Sequence, residues 1–130
     1  MSDPTRALAW LVDDSRAVLR LLERQLTLKR VAVRLFDAAK PCLNALAACS
    51  GPRHHPGLIV IDRHLADADG IDLGAQARSS GYRGTMALFT ATHDGDTAAV
   101  ARARGFDVTL PKPLDADSLA WLATVTGRAP

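Results

Sequence analysis

A short run of branched apolar residues that ends in a carboxylate constrains the fold of this chain more than any other stretch. Leu58–Ile61 shows no polar alternation and is followed at once by Asp62. Such a run is typical of a strand covered on both faces, and these strands occur mostly in parallel sheets flanked by helices. Asp62 is therefore expected at the carboxyl end of a central strand, the edge at which open α/β sheets bind ligands. A single aspartate at this place can also merely turn the chain.

Strand-like and helix-like stretches alternate five times along the sequence. The predicted strands are Ala7–Val12, Val31–Phe36, Leu58–Asp62, Thr85–Thr90 and Phe106–Leu110. Short connections between strands and helices predict a parallel sheet wound by helices on both faces with right-handed crossovers. We therefore predict a doubly wound α/β domain with five strands in the order 2-1-3-4-5 and five helices, in which the first and third strands are neighbours.

Capping residues and apolar spacing set the expected limits of the helices. Ser15 or Asp14 should cap the first helix. The apolar face of this helix is assigned to Val18, Leu21, Leu22, Gln25 and Leu28. The second helix begins either after Asp37 as its cap or at Pro41, since proline lacks an N–H. The remaining helices are expected to end at Gly81, Gly105 and near Gly127, and Asp115 should cap the last one.

Composition excludes several classes of protein. The chain has 130 residues, enough for one domain, and a net charge of +2, too small to argue for nucleic acid or a membrane surface. It has neither an apolar run long enough for a membrane span nor the pattern of a signal peptide, which favours a cytoplasmic protein. Cys42 and Cys49 lie about 10 Å apart in a helix, too far to bridge, and are read as small buried hydrophobes.

Reactive polar groups follow four of the five predicted strands. They are Asp13 and Asp14, Asp62, Thr90 and Lys112. In the order 2-1-3-4-5 the three carboxylates should converge, and two unit charges about 4 Å apart repel by about 4 kcal/mol at an effective dielectric of 20. A shared proton or a hard cation must offset that repulsion, and oxygen ligands with room for water suit Mg²⁺.

With a cation in place, Asp62 can attack a phosphoryl group and form an aspartyl phosphate. Lys112 would pair with one phosphoryl oxygen, and the Thr90 hydroxyl would donate to another. Ala91, a small residue, would leave the approach to the phosphoryl group open. Each residue alone has an ordinary structural explanation, whereas the set at these strand ends predicts this chemistry.

Over nearly its whole length the chain resembles the receiver domain of bacterial two-component response regulators, which has a flavodoxin-like fold. The matching stretches are Leu11–Asp14, Ile61–Asp62, Asp69–Gly70, Thr90–Ala91 and Leu110–Pro113. The resemblance implies that a histidine kinase or a histidine phosphotransfer protein phosphorylates Asp62. It also implies that Asp14, Asp62 and the backbone carbonyl of His64 ligate Mg²⁺, with Asp13 acting through water. The Lys112–Pro113 peptide is expected in cis.

Two positions depart from the family pattern. Ala66 replaces the usual proline after the phosphoacceptor, which could loosen that loop. Thr109 stands where an aromatic residue commonly rotates inward as Thr90 moves, so a switch would have to act through packing or through Thr109. His64 and Thr92 would tune the phosphoryl lifetime or be solvated rim residues.

We therefore predict a single receiver domain over residues 1–130, without an output domain and not an enzyme apart from its own Mg²⁺-dependent phosphorylation and dephosphorylation. Its partners would be the phosphodonor protein and either a downstream protein or a separate output domain, with no nucleic acid or membrane. Phosphorylation could also lead two copies of the chain to form a homodimer.

One alternative is a small phosphatase that forms an aspartyl phosphate, although His64 occupies the place of its general acid. The others are a receiver-like module that is never phosphorylated, and a nucleotide or flavin binder, which lacks a Gly-rich loop here. His54 and His55 are read as loop residues and not as metal ligands.

Overall fold

A computed structural model describes residues 8–51, 54–91 and 94–126. The strands are β1 (Leu8–Val12), β2 (Ala32–Phe36), β3 (Leu58–Asp62), β4 (Thr85–Thr90) and β5 (Val108–Pro111). The helices are α1 (Arg16–Leu28), α2 (Ala39–Ala48), α3 (Gly70–Ser79), α4 (Gly95–Ala103) and α5 (Ala116–Thr126). All strand pairs are parallel, in the order β2-β1-β3-β4-β5. The predicted fold is confirmed; Ala7 and Gly127 lie outside the described residues.

Two apolar cores flank the sheet because side chains alternate between its faces along each strand. Val60 packs in one core with residues of α1 and α5, such as Leu22 and Leu122. Ile61, the next residue, packs in the other core with residues of α2, α3 and α4. All five residues of β3 are buried, as expected for a central strand covered on both faces.

The buried face of α1 differs from the predicted one. Leu19, Leu22 and Leu26 are buried, a spacing of three and four residues that forms one stripe. Leu21 and Leu28, assigned to the core from the sequence, are 52% and 78% exposed. The prediction was wrong for Leu21 and Leu28 because the apolar residues of α1 surround more of the helix than the sheet can cover, whereas Leu22 is buried as predicted. Ser15 caps α1, and its hydroxyl accepts the Val18 N–H at 3.3 Å.

The start of α2 also differs from both alternatives. The helix begins at Ala39, and its N-cap residue Ala38 has no side chain able to accept a hydrogen bond. The carboxylate of Asp67 supplies the cap instead, accepting the N–H groups of Ala39 at 2.8 Å and Lys40 at 3.1 Å. A loop from elsewhere in the chain therefore fixes where α2 begins.

The other predicted helix ends agree with the structure. Gly81 and Gly105 both have φ of +106° directly after a helix, a conformation that favours glycine. The Asp115 carboxylate accepts the Ser118 N–H at 2.7 Å at the start of α5.

Both cysteines are free thiols. Cys42 is buried, and this burial raises the pKa of its thiol to about 12. Cys49 is only partly buried, so the sequence interpretation holds for Cys42 alone. In the described part of the chain, no helix combines the length and apolar character needed to traverse a bilayer.

Candidate functional site

Three carboxylates meet at the carboxyl edge of the sheet. Asp13 and Asp14 directly follow β1, and Asp62 is the last residue of β3, the strand beside it. One oxygen from each of the three groups lies within 4.8 Å of the others. The predicted convergence of these acids is confirmed.

The local backbone fixes the first pair of acids in two different environments. The Asp13 N–H donates to the carbonyl of Phe36 at 3.0 Å, which extends the β1–β2 ladder by one residue. The Asp13 carboxylate accepts the Ser15 N–H at 2.9 Å and is only 1% exposed. Asp14 is exposed. One acid therefore lies under the site, and the other faces solvent at its rim.

Lys112 joins the acidic cluster from the far side of the sheet. Its Nζ lies 2.7 Å from Asp13 Oδ2 and 3.0 Å from Asp62 Oδ1. Its backbone N–H donates to the carbonyl of Thr90 at 3.1 Å, which fixes the start of this segment on β4. The Lys112–Pro113 peptide is cis, as predicted. One ammonium group thus bridges the buried acid and the acid at the end of β3.

Burial and charge shift the pKa values of this pair. Burial raises the pKa of Asp62, and the nearby Asp13 carboxylate raises it further, against the opposing hydrogen bond from Lys112. Burial acts to lower the pKa of Lys112, but its hydrogen bonds to Asp13 and Asp62 outweigh that effect and raise the pKa overall. The lysine therefore stays charged, whereas the ionised form of Asp62 is less stable than that of a solvent-exposed aspartate in the metal-free protein.

The loop after Asp62 is held by its own backbone. His64 and Asp69 form an antiparallel bridge, and the Leu65 N–H donates to the carbonyl of Ala68 at 3.1 Å. The backbone of His64 also acts to lower the pKa of the Asp62 carboxyl group, although burial raises that pKa overall. These contacts order the loop although Ala66 replaces the family's usual proline.

Gly70 closes this loop against the strand. Its N–H donates to the carbonyl of Arg63 at 2.6 Å, and Asp69 caps α3 by accepting the Ile71 N–H at 2.7 Å. A Cβ on Gly70 would fall on the backbone carbonyl of Asp62, 2.8 Å from its carbon. The close approach requires glycine at this position.

The remaining predicted site residues lie at or near this edge. Thr90 ends β4 and is 2% exposed, whereas Ala91 and the side chain of His64 are exposed. Thr109 pairs with Leu88 in the sheet and lines a small cavity between β5 and α4. Thr92, the second predicted lifetime residue, lies outside the described residues.

The two loop histidines lie apart from the acidic site. The ring of His55 lies 5.7 Å from that of Tyr82. Among the described residues, Asp13, Asp14 and Asp62 form the one grouping of acidic, histidine or cysteine side chains close enough to share an ion. The interpretation of His54 and His55 as loop residues agrees with this arrangement.

Sequence reasoning missed two residues that position the site. Asp67, at the tip of the loop after Asp62, caps α2, and Arg63 donates from Nη1 to the Thr97 hydroxyl of α4 at 2.7 Å. An arginine next to the predicted phosphoacceptor was the available signal for the second contact. Nothing in the local pattern indicated the first.

A doubly wound sheet with three acids and a lysine at its switch point defines a class of domain suited to bind a hard cation and a phosphoryl group together. The family model for the response regulator receiver domain matches residues 9–123. The chain belongs to this family.

Individual proteins agree with this assignment. The DNA-binding transcriptional regulator NtrC of Klebsiella pneumoniae is 30% identical over 117 residues, which cover 90% of this chain and 24% of that protein. The chain spans less than half the length of the curated relatives it matches.

Solved structures show the same fold. A two-component response regulator from Clostridium difficile superposes with a TM-score of 0.82 at 20% identity, covering 94% of this chain and 97% of that one. A response regulator from Burkholderia pseudomallei, solved with a phosphorylated aspartic acid, a calcium ion and citrate, gives a TM-score of 0.77 at 23% identity, covering 89% and 65%.

Proposed function

We propose that Asp62 is the phosphoacceptor of this receiver domain and takes its phosphoryl group from a histidine kinase or a histidine phosphotransfer protein. The observation that carries the proposal is the ammonium of Lys112 held between Asp13 and Asp62 within a cluster of three acids. A partly buried lysine beside paired acids supplies the positive charge that a transferring phosphoryl group needs.

The donor set fits a hard divalent cation. Carboxylate oxygens from three side chains approach one another closely, and one of the acids is exposed, which leaves room for water ligands. We assign Asp14, Asp62 and the carbonyl of His64 as direct ligands of Mg²⁺, with Asp13 acting through water. When bound, the ion would neutralise charge on the carboxylates and on the phosphoryl oxygens.

In the proposed reaction an ionised Asp62 oxygen attacks the phosphorus atom. The new O–P bond forms as the N–P bond to the donor's histidine breaks, and the nitrogen leaves with the electron pair. Lys112 is already 3.0 Å from Asp62 and would pair with a phosphoryl oxygen after transfer.

Other residues have supporting parts in the proposal. The Thr90 hydroxyl would donate to a phosphoryl oxygen, and Ala91 would leave the approach open. The side chains of His64 and Thr92 would set the access of hydrolytic water. Thr109 would contribute to the switch from its position on β5 beside α4.

The proposed output is a change of protein partner and not the turnover of a separate substrate. The phosphoryl group would favour one arrangement of the Thr90–Lys112 region, which then binds a downstream protein, a separate output domain or a second copy of the chain. The predictions of one domain over residues 1–130, of a cytoplasmic location and of no direct contact with nucleic acid or membrane belong to the same proposal.

A small phosphodonor tests the proposal without a kinase. Incubation with acetyl phosphate and Mg²⁺ should add one phosphate to the protein by intact mass. Asp62→Asn should abolish the gain, and a chelator should prevent it in the unchanged protein. Asp72→Asn, which changes an exposed acid of α3, is the matched control and should gain phosphate normally.

Two results would overturn the proposal. Unchanged protein that gains no phosphate would identify a receiver-like module that is not phosphorylated. Continuous release of phosphate from many unrelated esters would identify a phosphatase instead.

A further inference from the structure

The residue bonded to the proposed phosphoacceptor contacts the opposite side of the sheet. Strand alternation places Val60 in the core with α1 and α5, and Ile61 in the core with α3 and α4. Asp62 and Arg63 continue this alternation. Asp62 pairs with Lys112 at 3.0 Å, whereas the guanidinium of Arg63 donates to the Thr97 hydroxyl of α4 at 2.7 Å. Two consecutive residues therefore connect the acidic site to α4.

Thr97 contacts both Arg63 and the N-cap residue of α4. Its side chain is buried, 6% exposed, and its backbone N–H donates to the Asp94 carboxylate, the N-cap of α4, at 2.7 Å. Its hydroxyl accepts the guanidinium N–H of Arg63. Thr97 thus joins the guanidinium of Arg63, through its hydroxyl, to the carboxylate of Asp94, through its backbone N–H.

Few other buried side chains hold α4. Thr97 and Ala101 are its two buried residues, and Val100 is 51% exposed. A helix with so small an apolar contact depends on polar contacts at its ends for its position. The Arg63–Thr97–Asp94 chain is such a contact at its N-terminal end.

The main chain of Arg63 is fixed as firmly as its side chain. Its N–H donates to the carbonyl of Phe89 on β4 at 3.2 Å, and its carbonyl accepts from Gly70 at the start of α3. The Nε of its guanidinium is buried and has no acceptor among the described residues. The Thr97 hydroxyl is thus the observed hydrogen-bond acceptor of this side chain, and a shift of the Asp62–Arg63 peptide would act directly on that hydroxyl.

We propose that Arg63 is a positioning residue that couples phosphoryl occupancy of Asp62 to the position of α4, through the Thr97 hydroxyl and the Asp94 cap. The inference rests on the proposed function, because it takes Asp62 as the phosphoacceptor. It gives this chain a connection to α4 that does not depend on an aromatic side chain at Thr109. Because coupling is reciprocal, α4 also influences how favourably the phosphorylated state forms.

Hydrogen exchange of α4 with and without beryllofluoride, a mimic of the phosphoryl group, tests the coupling. The 130-residue chain is compared with Mg²⁺ alone and with Mg²⁺ plus beryllofluoride, and ¹⁹F NMR confirms that the mimic is bound. In the unchanged protein, exchange of the amides of α4 should change by roughly fivefold or more between the two states, as for a typical allosteric coupling. The measured quantity is the change in α4 exchange that beryllofluoride causes. The exchange rate in one state alone is not used, because the loss of any structural contact would alter it.

Two substitutions at one position provide a matched pair. Thr97→Val removes the hydroxyl with little change of shape and should abolish most of the response of α4 while beryllofluoride still binds. Thr97→Ser keeps the hydroxyl and should retain the response. Arg63→Met, which removes the guanidinium but keeps the length of the side chain, should behave like Thr97→Val. The double variant Arg63→Met/Thr97→Val should lose no more of the α4 response than either single variant, because both changes break the same contact.

The possible failures are distinguishable. If ¹⁹F NMR shows beryllofluoride bound and Thr97→Val responds like the unchanged protein, the coupling is refuted and the proposed function stands. An unchanged protein that binds the mimic with no response in α4 also refutes the coupling alone. If the unchanged protein binds no beryllofluoride, both the proposed function and this inference are refuted.

Discussion

Asp62 is an acid at a position that disfavours its charge. It is 6% exposed, and its raised pKa reflects burial first and the neighbouring Asp13 second. The opposing contact with Lys112 does not remove the whole effect. In a metal-free protein, the ionised Asp62 therefore weakens the fold, as functional residues often do.

Replacing this carboxylate by an amide should stabilise the metal-free protein. Because a raised pKa means that the folded state binds the proton more tightly than the unfolded state, Asp62 opposes folding at neutral pH, and its penalty shrinks as the pH falls through its folded pKa. Asp62→Asn should raise the free energy of unfolding at pH 7 by about 0.5–2 kcal/mol, the range typical of stabilising changes at functional residues, and should raise the Tm by several degrees. Thermal unfolding in the presence of a chelator measures this.

The difference in Tm between Asp62→Asn and the unchanged protein should shrink at acidic pH. It should also shrink when Mg²⁺ is added, because the ion stabilises the unchanged protein. Asp14→Asn, a change at the exposed member of the cluster, is the control and should shift Tm less. A variant Asp62→Asn with a lower Tm than the unchanged protein at pH 7 would contradict this account of the site's electrostatics.

Gly70 and Gly95 are each the first residue of a helix, and their replacement by alanine should have different effects on stability. Gly70→Ala places a methyl group on the backbone of Asp62, whereas a Cβ at Gly95 meets no atom within 4 Å. We expect Gly70→Ala to lower the free energy of unfolding by about 2 kcal/mol and to slow phosphorylation, because overpacking forces the backbone to shift. Urea unfolding and intact mass after timed exposure to acetyl phosphate check both effects.

Gly95→Ala should leave the stability unchanged or raise it slightly, since alanine favours helix. Equal effects of the two substitutions would show that the contact between Gly70 and Asp62 does not constrain the loop.

At the scale of elements, the acceptor loop also organises a neighbouring helix. Asp67, at its tip, accepts the first two amide groups of α2, and these hydrogen bonds lower the pKa of its carboxyl. The cap lies 28 residues away from Ala39 in sequence. No local pattern can reveal such a cap, which explains why the sequence suggested Asp37 or Pro41 as the start of α2.

Removing the cap should destabilise the protein in a pH-dependent way. A lowered pKa adds stability above the ordinary carboxyl value of 3.8, and this stability is lost as the pH falls through the folded value. Asp67→Ala should therefore lower the urea midpoint at pH 7, and the difference from the unchanged protein should shrink at lower pH.

Asp37→Ala is the matched control, since Asp37 is the cap that local sequence predicts but not the acceptor observed at Ala39 and Lys40. Urea unfolding at several pH values compares the two variants. A larger loss from Asp37→Ala would show that the local cap, and not the loop, determines where α2 begins.

Some features of the elements were predictable from the sequence, and others were not. Strand ends and the Ser15 cap depend on adjacent residues, and the sequence predicts them well. The face that α1 buries depends on what the sheet can cover, so Leu21 and Leu28 were assigned to the core wrongly. Tertiary contacts decided that case, as they decided the start of α2.

At the scale of the whole molecule, a single arginine joins several elements at the edge of the sheet opposite the acidic site. Arg78 of α3 donates to the carbonyls of Gly105, Tyr82 and Gly84, and pairs with Asp107 at 3.0 Å. Its side chain is 24% exposed. The contacts tie α3 to the segments before β4 and β5.

This network should matter far more than an exposed ion pair of the same length. Arg104 and Asp72 also lie 3.0 Å apart, but their side chains are 44% and 56% exposed. Arg78→Ala should cost about 2 kcal/mol or more, because it leaves several carbonyls without a donor, whereas Arg104→Ala should cost less than about 0.5 kcal/mol. Urea unfolding measures the free energy of unfolding of both variants. Equal losses of stability would show that the hydrogen bonds of Arg78 contribute no more than an exposed ion pair.

The order of the strands was predictable because strands and helices alternate along the sequence with short connections. The convergence of the acids then followed because each acid comes directly after an apolar strand. Contacts such as Arg63 with Thr97 did not follow, because they join side chains from separate elements. The site was thus predictable in its chemistry and not in the contacts that position it.

The most direct test of the central claim locates the phosphate on the chain. After exposure to acetyl phosphate and Mg²⁺, borohydride reduction converts an aspartyl phosphate to homoserine, which peptide mass spectrometry can assign to one residue. We predict conversion at Asp62 alone. Conversion at Asp13 or Asp14, or none at Asp62 in protein that has gained phosphate, would contradict the account.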